Sequence, residues 1–227
     1  MKHLAVVVPA KDEEATIGEL LDRIGGVRVP GCELRTVVVD DGSFDRTARI
    51  ARERRAAVVR HPENRGLGAA VRTGLRAAVE RGADAVAYLD ADLEYYPEDI
   101  PCLVEPVLAG RADYVLGSRF LGGVRGMRLY RRVGNHVFTL LLVLLTRRHM
   151  TDGQTGMRAF SREAAAAAEI IHDYNYAQVL TLDLLRKGFR LEEAPIRYRL
   201  REHGDSFISW RYPSKVLPAM WRELRAP

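Results

Sequence analysis

The sequence predicts an α/β fold with a mostly parallel central sheet flanked by helices. Three observations predict it. Short apolar runs rich in Val and Ala alternate with segments at helical spacing, glycines stand between them, and acidic residues collect just after the runs. Buried parallel strands read as continuous apolar stretches joined by crossover helices. Ligands bind beyond the carboxyl ends of such strands.

The elements follow in order. Leu4–Val8 is the first strand and Glu14–Ile24 the helix after it. Arg35–Asp40 leads to a helix over Asp45–Arg54, with Ser43 or Asp45 as its cap. Ala57–Arg60 and Gly68–Arg81 form the third pair, Ala85–Leu89 and Glu98–Ala109 the fourth, and Tyr114–Gly117 the fifth strand. Gly31, Gly42, Gly66 and Gly82 mark the boundaries. The second half changes character. Val137 to Leu145 is apolar but for Thr139, inside a helix at about 133–147, with Arg128, Arg131 and Arg132 before it and Arg147 and Arg148 after. Such a helix is either buried or lies in a membrane interface. A polar turn at Asp152–Gly156 precedes a strand at Met157–Ser161 and a helical alanine run at Ala164–Ala168. A helix at Tyr176–Lys187 then leads to extended segments at Arg190–Ala194 and Ile196–Leu200.

A chain of 227 residues suits one large domain. We expect it to span residues 1–210, with a ligand-binding half at 1–118, a second half at 119–210, and an amphipathic tail at 211–227. The net charge of +5 is modest, but the arginine groups suit phosphates or an anionic surface. They form no aromatic-interleaved track, so nucleic acid is not an expected partner. Cys32 and Cys102 make neither a disulfide framework nor a metal-ligand spacing, which fits a reducing cytoplasm. The first residues are too short for a signal peptide's apolar region, and no run reaches the roughly 18–20 apolar residues of a bilayer span. A cytoplasmic protein is expected, with contact at the cytoplasmic membrane surface left open.

Four loops converge at one end of such a sheet. They are Pro9–Glu13, Asp40–Asp45, His61–Gly68 and Asp90–Glu94. Asp90, Asp92 and Glu94 alternate, so their carboxylates share one side of an extended chain. Hard cations such as Mg²⁺ or Mn²⁺ take one or two such oxygens together with water and substrate phosphates. A metal–diphosphate site is the expectation, although acidic residues also cap strands and open helices. The rival dinucleotide fold needs Gly-x-Gly-x-x-Gly directly after a strand. Here the first strand leads to Pro-Ala-Lys-Asp-Glu, and no P-loop is present.

The stretches VVVPAKDEE, VVVDDGSFDRT, HPENRGLGAAVRTG, YLDADLEYYPEDI, LGSRF, DGQTGMRAF and PIRYRLREHGDS occur in that order between Val6 and about Phe207. In these motifs the chain resembles family 2 inverting glycosyltransferases of the GT-A, Rossmann-like fold, closest to the dolichyl- or polyprenyl-phosphate mannose synthases. The resemblance implies that Pro9, Ala10, Glu13 and Asp41 line the nucleotide pocket, supported by Asp40, with Asn64, Arg72 and Asp90 near base, ribose or metal. It makes Asp92 the principal metal ligand, with Glu94 where a glutamine is common. Arg119 would contact phosphate or sugar. Arg132, Arg158, Arg201 and Ser206 would serve the acceptor side. Leu67 and Phe207 stand where lysines are frequent, and Gln154–Arg158 replaces a Ser-Gly-Phe-Arg pattern.

The implied donor is a nucleotide-diphosphate sugar, GDP-mannose or a UDP-sugar. A polyprenyl phosphate acceptor is already ionised and needs no base, only cations. A small hydroxylated acceptor needs one, and Asp152 is the candidate, ahead of His149 and His203. The apolar helix favours the lipid; in a soluble transferase it would be core or a homodimer contact. A non-catalytic nucleotide-binding protein is the remaining alternative, which intact Asp90, Asp92, Glu94 and Arg119 oppose.

Overall fold

The computed structural model describes residues 1–124, 126–171, 177–200 and 212–225. Seven strands form one sheet: β1 (Lys2–Ala10), β2 (Cys32–Asp40), β3 (Ala57–Arg60), β4 (Ala85–Tyr88), β5 (Tyr114–Ser118), β6 (Arg158–Ser161) and β7 (Leu191–Pro195). Their order is β3-β2-β1-β4-β6-β5-β7. All neighbours are parallel except β6, which runs antiparallel to both β4 and β5. The sheet is therefore mostly parallel, as its apolar runs predict.

The central strands are buried on both faces, the edge strands β3 and β7 only partly, and the two-residue period of the chain sorts their side chains. Leu4, Val6, Val8, Val38, Ala87, Leu89, Val115 and Ala159 share one core layer. It is covered by α1 (Ile17–Gly26), α2 (Thr47–Glu53) and α4 (Ile100–Leu108). Ala5, Val7, Val37, Val86, Tyr88, Tyr114, Leu116 and Phe160 share the other. That face carries α3 (Leu67–Glu80), α7 (Arg162–Ala167), α8 (Ala177–Arg186) and α9 (Tyr212–Arg225). Ser118 caps the short α5 (Arg119–Gly122), and Ser161 caps α7, each accepting from an amide three residues on.

One expectation needs correction. The apolar helix, α6 (Leu129–Thr146), starts earlier than about 133 and is neither core nor wholly exposed. Thr139 and Leu142 are buried, while Leu129, Val133, Val137, Leu140 and Leu144 are each more than half exposed. The extended segment Ile196–Leu200 lies outside the sheet and makes one isolated antiparallel bridge, Tyr198 to Tyr95, in which the Arg199 amide donates to the Glu94 carbonyl at 3.0 Å.

Candidate active site

The carboxyl ends of β1, β2, β3 and β4 bring the four predicted loops to one edge. β4 delivers the acidic group. The Tyr88 hydroxyl donates to Asp90 Oδ1 at 2.5 Å, and the Glu94 amide donates to Asp92 Oδ1 at 3.1 Å. Between them Leu93 takes φ 62°, an unfavourable conformation for a branched side chain. The other Asp90 oxygen lies 2.1 Å from where a Cβ on Gly156 would stand, so only glycine admits the carboxylate there. Arg131, on the first turn of α6, lies 3.5 Å from Glu94. Sequence reasoning placed Arg131 only in a basic cluster.

Burial, with the negative charges of Asp92 and Glu94, pushes the Asp90 carboxyl up to about 8, against the Tyr88 hydrogen bond and the positive Arg158. Crowded carboxylates that resist joint ionisation suit a cation. An all-oxygen donor set fits Mg²⁺ or Mn²⁺. Among the described residues, no three His, Cys, Asp or Glu side chains form a metal cage. An ion held here would have to take its remaining ligands from water and diphosphate.

The first three loops are stitched together. The Asp12 amide donates to Ser43 Oγ at 2.9 Å, and the Phe44 amide donates back to Asp12 Oδ1 at 2.8 Å. The Glu13 amide donates to Thr47 Oγ1, and the Glu13 carboxylate accepts from Thr16. Pro9 and Ala10 are buried in the last turn of β1, against β2. Asp40 is fully buried and accepts from the Ser43 amide at 3.0 Å, with Arg60 Nε 2.9 Å from its other oxygen but not aimed at it. Asp41, expected to line the nucleotide pocket, turns inward, where it accepts from His61 Nδ1 at 2.7 Å and from the amides of Arg65 and Gly66. Asn64 is exposed on the same loop and accepts from the Gly66 amide at 2.9 Å. Arg72 donates to the Ile170 carbonyl.

A second polar cluster lies beside the acidic group. Arg119 and Asp152 are both buried and meet through two hydrogen bonds, Nε to Oδ2 at 2.6 Å and the terminal nitrogen to Oδ1 at 2.8 Å. The Arg119 amide adds a third to Oδ2. Glu193 on β7 holds the turn, accepting from the amides of Thr151 and Asp152 and from the Thr151 hydroxyl. Tyr198 covers the Arg119 guanidinium at 5.4 Å. Tyr95, Glu193 and Tyr198 escaped sequence reasoning, since each gains meaning only from its spatial neighbours.

The acceptor-side expectations divide. Arg132 is exposed on α6. Arg158 is corrected: it is fully buried, donating to Tyr114 and Thr181 and to the carbonyls of Gly153, Thr155 and Ala177, so it orders the interior and does not face an acceptor. Arg201, His203 and Ser206 lie outside the described residues.

The sheet gathers acidic loops at the carboxyl ends of its parallel strands, where open α/β folds bind their ligands. The chain belongs to Glycosyl transferase family 2, whose model matches residues 5–167, and it is a glycosyltransferase of the GT-A fold. An uncharacterized protein of Methanocaldococcus jannaschii is 36% identical over 211 residues, covering 90% of this chain and 84% of that one. The UDP-N-acetylglucosamine–dolichyl-phosphate N-acetylglucosaminyltransferase of Methanococcus voltae is 31% identical over 182 residues, covering 72% and 71%. Glucosyl-3-phosphoglycerate synthase of Mycobacterium tuberculosis, solved with Mn²⁺, UDP and glucosyl-3-phosphoglycerate, shares the fold at a TM-score of 0.79 and 24% identity, covering 100% of this chain and 81% of that one.

Proposed function

We propose that this chain is a metal-dependent inverting glycosyltransferase that moves a sugar from a nucleotide-diphosphate sugar to a polyprenyl phosphate of dolichyl type. One observation carries the choice of acceptor. Both oxygens of Asp152 are engaged by Arg119, so the best candidate base is not free to take a proton from a hydroxyl. A phosphate acceptor brings its own negative oxygen and needs no base. The dolichyl-phosphate transferase among the relatives supports the same reading.

Asp92, with the charge of Asp90 and Glu94 beside it, would hold Mg²⁺ or Mn²⁺, which when bound offsets the charge that develops on the leaving diphosphate. Arg119, fixed by Asp152, presents an oriented cation to phosphate or sugar. Arg132 stands on the exposed side for the incoming acceptor, which attacks the anomeric carbon from the face opposite the nucleotide and inverts it. Pro9, Ala10, Glu13 and Asn64 line the nucleotide side. Asp40 and Asp41 shape that pocket from behind.

The same reading includes peripheral contact with an anionic membrane through α6. No acidic residue lies between Asp113 and Asp152, and arginines flank the exposed apolar stripe at both ends. Antiparallel pairing of two such helices would set arginines against arginines, whereas anionic headgroups complement them. Among the described residues no helix is long and apolar enough to cross a membrane.

The test is transfer from a panel of GDP- and UDP-sugars with Mn²⁺, with and without a short polyprenyl phosphate. Lipid-dependent product formation with an inverted anomeric centre is expected. Donor turnover that ignores the lipid but responds to small hydroxylated acceptors would overturn the acceptor assignment.

A further inference from the structure

One buried chain of polar groups has no part in the chemistry above. Asp41 and His61 are each 4% exposed. His61 is the first residue after β3, and its amide donates to the Asp40 carbonyl at 2.9 Å. Its Nδ1 lies 2.7 Å from Asp41 Oδ1, and its Nε2 lies 3.0 Å from the hydroxyl of Thr73 on α3. With the proton on Nδ1, the ring donates to Asp41 and accepts from Thr73. The same carboxylate accepts from the amides of Arg65 at 2.9 Å and Gly66 at 2.8 Å, while the Asp41 amide donates to the Ala10 carbonyl. One buried aspartate thus ties the end of β1, through its amide, and the glycine loop that opens α3, through its carboxylate, to the end of β2. The closure has no slack: a Cβ on Gly42, at φ +71°, would lie 2.5 Å from the Glu63 carbonyl carbon.

We propose that His61 is a positioning residue for nucleotide binding, acting through Asp41 to fix the 61–68 loop against the ends of β1 and β2. The inference rests on the reading of these loops as the nucleotide pocket. The order carboxylate–imidazole–hydroxyl is also that of an acyl-transfer triad, but a ring this buried meets no substrate atom. Its effect passes through Asp41. Removing the ring leaves a buried carboxylate short of a donor, and the loop must rearrange or admit water to satisfy it. Loop placement governs how well the nucleotide binds; the reacting centre lies at β4 and α5.

The experiment compares wild type with His61→Leu, His61→Asn and Thr73→Val. UDP and GDP binding with Mg²⁺ is measured by calorimetry, donor kinetics by transfer assay, and loop order by hydrogen exchange at the Arg65 and Gly66 amides. His61→Leu is expected to weaken the bound nucleotide by about tenfold or more. The donor KM should rise with kcat held within about threefold. His61→Asn keeps a donor for Asp41 and should recover most of the affinity. Exchange at Arg65 and Gly66 should quicken in His61→Leu and slow again in His61→Asn. Wild-type affinity and exchange in a folded His61→Leu protein would overturn the proposal, as would a loss confined to kcat. Should His61→Leu not fold, Thr73→Val decides: a smaller rise in KM with faster exchange supports the role, and no change in either overturns it. A wild type that binds neither nucleotide would instead sink the reading of these loops as a UDP- or GDP-sugar pocket, while the exchange comparison still tests the lock.

Discussion

Arg119 and Asp152 are the clearest case of a side chain whose surroundings decide what it can do. An aspartate in a polar turn reads equally well as a base, but with three donors on its oxygens it is an anchor. Asp152→Ala strands a buried guanidinium and should destabilise the protein by about 3–5 kcal/mol in denaturant melts. Arg119→Met combined with Asp152→Leu should recover most of that stability but not activity. A harmless Asp152→Ala would mean that the pair is not buried in solution. Asp92 is different, being partly exposed at the mouth of the site. Asp92→Asn should cut metal-dependent transfer by about a hundredfold or more while the melting temperature barely moves; near-normal turnover would remove Asp92 from the metal site. Asp90 predicts a pH effect in metal-free protein. Its folded carboxyl, raised to about 8, keeps a proton that the unfolded chain releases near its ordinary 3.8. Its stabilising contribution is therefore complete below that lower value and is lost as pH rises toward 8. Asp90→Asn should flatten the decline in stability between those limits, measured in EDTA; an unchanged slope would assign it to other groups. The acidic residues were legible because alternation after an apolar run fixes their side and end of the sheet. His61 stood in plain view within HPENRG, yet its partner lies twenty positions away, in the loop just after β2.

At the scale of elements, α6 shows what periodicity conveys and what it omits. Composition identifies a helix, but a run that is apolar on every face cannot say which face is covered. Leu141, Phe138 and Val143 pack partly against the core, whereas Leu140 is 58% and Leu144 67% exposed. Leu140→Ser with Leu144→Ser therefore removes apolar area from the outer face alone and should leave stability nearly unchanged. The double variant should lose binding to vesicles containing anionic phospholipid in a co-sedimentation assay. Equal binding by wild type and variant, or no binding by either, would take α6 off the membrane. The helix is about 27 Å long, and Arg131 on its first turn touches Glu94. Docked flat, it would bring the acidic site to the edge of the lipid, where a polyprenyl phosphate would enter.

At the scale of the molecule, the first five strands were legible because each is a local apolar run followed by its own helix. The place of β6 was not. Four residues fix a strand but not its neighbours, and β6 enters from far along the chain to lie between β4 and β5. A boundary after residue 118, where the halves are expected to meet, would thus cut through one sheet. β5, at the end of the first half, pairs only with β6 and β7. A fragment ending at residue 118 would leave β5 without a partner and expose one edge of β4. It would also uncover Tyr88 and Tyr114, which are fully buried in the whole chain alongside Phe160 and Arg158. Residues 1–118 alone are therefore expected to give no cooperative thermal transition and no UDP or GDP binding. Adding 119–200 should restore the transition, because that length supplies β6 and β7. Should the short fragment melt cooperatively and bind nucleotide, the first half would be a self-sufficient unit, and β6 would serve the acceptor side without being needed for the sheet.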